Sequence, residues 1–333
     1  MHAPTSRNSK SPSSDCYRNV FLLLILCGLT VHASAAVTVT KTNYHGWSGS
    51  YVIANETVEA IVVPAIGRVM QFRFVGDAQG PFWENRAMDG KLPIPNSKEW
   101  GNFGGDKSWP APQEDWPKVT PRGWPPPVAF DSMPVEANIE GSEVEGFRLR
   151  LVSAVDPHFG IRAQRIITLD DTKPLMTIET IYQKIEGEPR KVGVWIITQL
   201  NEPDFVYAPT MMDDKFIRQS EALPQNLKVG KRAITLKRSP TKSTKIGTDS
   251  SSLYWVGPKN ALRIDSPRIE GQEYPDKGSS AEVYTNPNPL TYVELEMLGP
   301  LKTLKAGDTL AQRNTYTLLK RDELGAEVVA DVK

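Results

Sequence analysis

The sequence predicts an all-β protein, a large antiparallel two-sheet β-sandwich, and three observations carry that prediction. Apolar residues recur with a period of two rather than the 3.6 of a helix over most of the chain. The 24 Gly and 27 Pro among 333 residues exceed what a helical protein carries, because both residues break helices. With 39% hydrophobic and 23% charged residues there is enough apolar matter for a large core, which excludes disorder and collagen.

The N-terminus reads as an address. Arg7, Lys10 and Arg18 precede the apolar run from Val20 to Leu26, continued by Cys27, Gly28 and Leu29 and by the small-residue stretch His32-Ala33-Ser34-Ala35-Ala36. That order describes a secretory signal peptide over residues 1–36, followed by a single domain over 37–333, in a secreted or periplasmic protein. The run falls short of the roughly 20 residues that span a bilayer, and no membrane span is expected after cleavage. An uncleaved N-terminal anchor is the alternative. Cys16 and Cys27 both lie in this segment, so a mature chain has no thiol nucleophile, disulfide or thiolate zinc site. Only His45 and His158 remain of four histidines, and neither a metal nor a cofactor is expected. The 39 Lys+Arg against 39 Asp+Glu leave no field to hold a phosphate backbone, so nucleic acid is not an expected partner.

From Val37 onward strands are expected in order. Val58, Ala60 and Val62 alternate with Thr57, Glu59 and Ile61, and Val69 to Val75 places Met70, Phe72 and Phe74 on one face. Phe147 to Val155, Gly160 to Leu169, Leu175 to Ile185 and Val192 to Leu200 follow one another across turns such as Asp156-Pro157 and Asp170-Asp171. Further strands are expected at Ala233 to Lys237, Ser252 to Val256, Leu262 to Asp265, Ala281 to Thr285, Tyr292 to Leu298 and Thr309 to Leu319, about a dozen in all, more than one Ig-like sandwich holds. The one helix expected is the tail Asp322 to Val332.

Pro81 to Pro127 interrupts the pattern with Trp83, Trp100, Trp109, Trp116 and Trp124 and with ten prolines. Such a loop, too rich in Trp to be disordered, is expected to be ordered and to line a cleft. Within it, Asn102-Phe103-Gly104-Gly105-Asp106-Lys107-Ser108-Trp109-Pro110-Ala111-Pro112-Gln113 combines a flexible backbone, an acceptor, a donor and a flat apolar ring, the mixture a pyranose needs. The alternative is that Trp109 and its neighbours cap one end of the sandwich.

Several stretches resemble an uncharacterised bacterial family within the galactose-mutarotase-like superfamily. They are Asn43-Tyr44-His45-Gly46-Trp47, Val58 to Val69, the stretch around Trp109, Asp156 to Asp170, and Tyr292 to Pro300 followed by Leu304 to Thr309. The resemblance implies a β-supersandwich that binds a carbohydrate ligand. It implies, for members that interconvert anomers, a His acid and a late Glu base. Glu294 and Glu296 are the catalytic candidates, and alternation puts both on one face. The acid is expected within Val194 to Leu200, where no histidine stands, and His158 lies at a turn. Candidate sugar contacts are Asn85, Arg86, Asn102, Asp106, Lys107, Trp109, Gln113, Arg162 and Gln199. Arg162 and Arg165 face opposite ways on one strand, and Arg68 is a candidate partner for a sheet carboxylate. Asp213-Asp214 reads as a turn, and Asn55-Glu56-Thr57 as a glycosylation sequon for a eukaryotic route. The functions this leaves open are a secreted carbohydrate-recognising protein with epimerase or lyase-type activity, a non-catalytic sugar-binding module, and a structural protein of the cell envelope.

Overall fold

The computed structural model describes residues 37–94, 97–142, 145–209, 216–217, 224–230, 232–325 and 328. The proposed signal segment and Asp213-Asp214 lie outside the described residues. The described residues all fall in one compact unit.

The strands in chain order are β1 Thr38–Tyr44, β2 Trp47–Ala54, β3 Val58–Val63, β4 Arg68–Phe74, β5 Asp106–Ala111, β6 Glu136–Ser142 and β7 Gly146–Val155. There follow β8 Ile161–Leu169, β9 Leu175–Lys184, β10 Arg190–Asn201, β11 Phe205–Pro209, β12 Phe216–Ile217, β13 Leu227–Val229 and β14 Ala233–Leu236. The chain closes with β15 Thr244–Thr248, β16 Ser252–Val256, β17 Asn260–Asp265, β18 Ala281–Thr285, β19 Tyr292–Leu298, β20 Lys302–Leu304 and β21 Thr309–Lys320.

They form two antiparallel sheets. The 11-stranded sheet runs β1-β2-β3-β4-β5-β10-β19-β18-β15-β12, with β20 pairing β10. The 10-stranded sheet runs β13-β14-β11-β16-β17-β21-β9-β8-β7-β6. The all-β two-sheet expectation is met. The strand count exceeds the expected dozen because short edge strands such as β13 and β20 carry no period-two signal of their own.

Alternation is clean in β8, whose Ile161, Ala163, Arg165, Ile167 and Leu169 are buried while the residues between are half-buried. The main core lies between the sheets and includes Val62, Phe72, Leu151, Ile178, Val194 and Leu318. Each such fully buried side chain stabilises the fold by roughly 1.5–3 kcal/mol before entropy is counted. The expected common face of Met70, Phe72 and Phe74 is broken. The β3–β4 register shifts between Ile61 and Val62, so Met70 is the extra residue of a bulge and joins a second cluster with Trp47 and Phe103.

The stretch read as a loop, Pro81 to Pro127, holds strand β5, fully buried and paired with β10 from Asp106↔Thr198 to Ala111↔Gly193. Pro110 is tolerated there because pairing with β4 is confined to Val69↔Asp106, leaving the rest of that edge open. Short helices α1 Trp116–Val119, α2 Val128–Asp131 and α3 Pro275–Gly278 stand in connections where none was expected. The tail begins with a 3-10 turn, Arg321–Glu323, and most of the expected helix lies outside the described residues. Among the described residues no helix is long and apolar enough to cross a membrane.

Candidate functional site

Cross-strand pairing on the 11-stranded sheet determines which side chains share its outer face. Lys107 on β5 stands opposite Ile197 on β10, Gln199 opposite Glu294 on β19, and Ile197 opposite Glu296. Glu296 in turn faces Glu282 on β18, Glu294 faces Tyr284, and Tyr284 faces Lys245 on β15. Partners directly across a ladder point the same way, so these residues form one polar strip. The segment before β5 lies against it, bridged through Phe82↔Leu200 and Glu84↔Gly104, and stacks Trp83 on Tyr292 at 4.7 Å between ring centroids.

Two arrangements sit side by side on the strip. In the first, Gln199 Nε2 donates to Glu294 Oε1 at 2.9 Å, and Lys107 Nζ lies 3.9 Å from the same oxygen. Lys107 is fully buried beneath the faces of Trp100 and Trp109, yet Nζ makes no hydrogen bond; neither do Gln199 Oε1 and Asn102 Nδ2. Burial pushes the Glu294 carboxyl up to about 7, against the pull of Lys107, and burial pushes Lys107 down to about 8. Burial also raises the Tyr292 phenol, whose polar neighbours include Glu294, Gln199 and Asn102.

In the second arrangement Lys245 is held by Glu282 at 2.8 Å and Glu296 at 2.9 Å, with its ammonium 4.5 Å above the Trp195 ring. Burial works against its charge, but the two carboxylates overcome that and hold Lys245 above the ordinary ammonium range. Glu296 Oε2 accepts from both Lys245 Nζ and Trp195 Nε1. Geometry therefore separates two glutamates that spacing left equivalent. Glu296 is tied to Lys245 and Trp195, while Glu294 is 8% exposed and faces unpartnered polar atoms.

The other candidates divide. Asp106 points the opposite way from Lys107, into the core between the sheets, where it pairs with Arg165 and accepts from Thr198 Oγ1 at 2.6 Å and Tyr316 Oη at 2.7 Å. It is out of reach of a ligand on the outer face. Trp109 is 4% exposed, ringed by Trp100, Trp116, Trp124 and Trp195, and donates Nε1 to Asp131 Oδ1 at 2.9 Å. It packs the covering layer and offers no free face for a sugar. Arg162 lies on β8 of the other sheet, in a surface hollow with Pro134 and Glu136. Gln113 sits half-buried in a 3-10 turn beyond the end of β5.

Asn85 accepts from Ala87 N and donates to the Asn102 carbonyl, so it braces Asn102. Arg86 is half exposed among Asp89, Glu84 and His45. The paired glycines approach their own backbone: a Cβ on Gly104 would sit 2.2 Å from Trp83 O, and φ there is +92°. Arg68 is matched by Asp131 of α2 and the Gly104 carbonyl rather than by a sheet carboxylate. His158 is exposed at its turn. Asn55 is buried, its amide donating to Asp170 O and Lys173 O, so this sequon offers no free amide.

Sequence reasoning missed Lys245, Glu282, Tyr284, Tyr292 and Trp195. A signal was present for one pair: Glu282 and Tyr284 alternate with Ala281 and Val283, a carboxylate at period two inside an otherwise apolar strand, as in β19. Among the described residues no group of three or more His, Cys, Asp and Glu side chains is arranged to hold a metal.

The two large antiparallel sheets form a sandwich of the galactose-mutarotase-like fold, shown by likeness to solved structures. No protein-family model matches the chain, and no curated protein matches it either. Solved structures do. A galactose mutarotase-like protein from Lactobacillus casei superposes with a TM-score of 0.55 at 9% identity, over 81% of this chain and 100% of that one. A putative aldose 1-epimerase from Escherichia coli gives 0.51 at 11% identity, over 85% and 100%. A TPR-domain containing protein from Parabacteroides distasonis gives 0.55 at 15% identity over 83% of this chain, which spans only 48% of that longer protein.

Proposed function

We propose that the protein is a secreted or periplasmic carbohydrate-recognising protein that binds a sugar over Glu294, whose carboxylate accepts a hydrogen bond from one sugar hydroxyl. The observation that carries this is the set of buried polar atoms without partners around Glu294: Lys107 Nζ, Gln199 Oε1 and Asn102 Nδ2. Two donors and an acceptor grouped about a carboxylate are what a sugar's hydroxyls would satisfy, and leaving them unpaired costs about 1–3 kcal/mol each. Trp83 and Tyr292, both buried and stacked on each other, wall the group with apolar rings. The fold shared with galactose mutarotase-like proteins supports a sugar ligand, and the order of basic, apolar and small residues over 1–36 supports export.

A second reading, anomer interconversion, is favoured by the Glu294 carboxyl lying near neutrality beside a lysine with a lowered pKa. Glu294 would take the proton of the anomeric hydroxyl while Lys107 gives one to the ring oxygen; the ring carbon–oxygen bond breaks, and the open aldehyde recloses on either face. The 3.9 Å between the two groups means that both would act from one side of the ring.

Residues 37–333 titrated with hexoses and followed by ligand-observed NMR test both readings. Binding that Glu294→Gln weakens supports the site, and accelerated exchange between anomer signals adds the catalytic reading. Saturation transfer to no sugar would overturn the proposal.

A further inference from the structure

The part of the outer face built on β4 and β5 holds buried cations whose counter-charges are already in use or weakened. Arg68 and Lys107 are both fully buried there. Asp131 is shared among Arg68 Nη2 at 2.9 Å, Trp109 Nε1 at 2.9 Å and Trp100 Nε1 at 3.1 Å, so both of its oxygens are occupied. Asp106, on the inner side of β5, is likewise taken by Arg165, Thr198 and Tyr316. Glu282 and Glu296 hold Lys245 farther along the strip. Among the described residues, Glu294 is the one carboxyl paired with Lys107, at 3.9 Å, and burial holds it at about 7, so it is about half protonated at neutral pH. Lys107, at about 8, keeps its charge there. The atoms without hydrogen bonds around this pair have the same bias: Lys107 Nζ and Asn102 Nδ2 are donors, against the single acceptor Gln199 Oε1.

We propose that the ligand of this face is an acidic sugar, a uronic acid, whose carboxylate docks on Lys107 and Asn102 while a neighbouring hydroxyl donates to Gln199. The inference rests on the sugar-binding reading and deepens it by fixing the charge class. The two oxygens of a carboxylate match two donors, and its charge completes an ammonium that two indole faces and one 3.9 Å contact leave short of a full counter-ion. A hydroxyl completes it less well, because hydrogen bonds between charged groups are the stronger ones in a desolvated site. Glu294 does not bar the anion. With its proton kept, it donates to the ligand carboxylate through one oxygen and accepts a hydroxyl through the other. A phosphate monoester is a poorer match, since about two charges and three oxygens exceed one ammonium and one amide.

The test is calorimetric titration of residues 37–333 with glucuronate, galacturonate, glucose, galactose, N-acetylglucosamine and glucose 6-phosphate, at pH 6 and at pH 9. At pH 6 at least one uronate is expected to bind at least about tenfold more tightly than its parent hexose. That ratio is expected to shrink at pH 9, where Glu294 is charged and Lys107 largely neutral. Lys107→Gln should bring the ratio to about one, while Glu294→Gln, which mimics the protonated carboxyl, should keep it; circular dichroism shows whether each variant keeps the fold. Hexoses binding as tightly as both uronates at pH 6, or more tightly, overturn the inference and leave a sugar site in place. Tightest binding by N-acetylglucosamine or glucose 6-phosphate does the same, and so does a uronate preference that grows with pH or survives in folded Lys107→Gln. If none of the six binds, the sugar-binding reading itself fails and this inference falls with it.

Discussion

Asp106 and Lys107 are consecutive residues on one strand, both fully buried, and they face opposite sides of one sheet. Asp106 looks into the core, where Arg165, Thr198 and Tyr316 use both of its oxygens. Lys107 looks to the outer face, where its ammonium lies 3.9 Å from Glu294 but makes no hydrogen bond. A buried charge with every partner in place holds two sheets together. A buried charge left short of partners costs stability and is tolerated where something else completes it. The same dipeptide thus contributes one residue to the fold and one to the candidate site.

The comparison can be broken most severely at Asp106. Asp106→Ala leaves Arg165 charged and unpaired between the sheets, so a stability loss of about 3–5 kcal/mol is expected by chemical denaturation. A loss below about 1 kcal/mol would show that the interior pair is not structural. Trp109→Ala, among four other Trp rings, is expected to cost roughly 3–5 kcal/mol as a core truncation. Its effect on sugar affinity should be the smaller one, and the opposite ranking would return Trp109 to the site.

The outer face predicts a pH signature. Glu294, buried and raised to about 7 from 4.5, keeps a proton in the folded state that the unfolded chain has released. Its contribution to stability therefore falls as pH rises from 4.5 to 7, and Glu282, raised to about 8, extends the fall. Lys107, lowered by burial to about 8 from 10.5, is neutral in the folded state while the unfolded chain still holds the proton, so stability recovers between 8 and 10.5. Denaturation midpoints of wild type and Glu294→Gln against pH check the sign: the variant should lose the fall between 4.5 and 7 and be the more stable protein at pH 8. Sugar affinity in that variant should drop by about 1.5–3 kcal/mol, the worth of hydrogen bonds to a charged group. At the small end, Arg162→Ala on the other sheet should change stability by no more than about 0.5 kcal/mol and leave sugar affinity unchanged.

The difference between the two regions also explains what could be read in advance. The hairpin series β7 to β10 was legible because each strand buries one face and alternates cleanly, as Ile161 to Leu169 does. β5 was not, because a central strand with useful polar residues on both faces has no alternation, and Asp-Lys-Ser-Trp-Pro-Ala reads as a loop. Glu294, Gln199 and Lys107 were named in advance by residue chemistry and resemblance, and the sheet brings the three together on its outer face. Lys245 and Glu282 were not, since their meaning arises only when β15, β18 and β19 are laid side by side. Asp106 and Trp109 misled for the converse reason: their residue types suit a sugar, but the sheet had already committed them to Arg165 and Asp131.

The claim at the centre of this account is that Glu294 is the group of the outer face left open to a ligand. Carbon-13 NMR of glutamate side-chain carboxyls in residues 37–333, assigned with Glu294→Gln and titrated with and without a hexose, tests it most directly. The account predicts a Glu294 midpoint near neutrality that moves when the sugar is added. A Glu294 midpoint in the ordinary carboxylate range near 4.5, indifferent to the sugar, would contradict it.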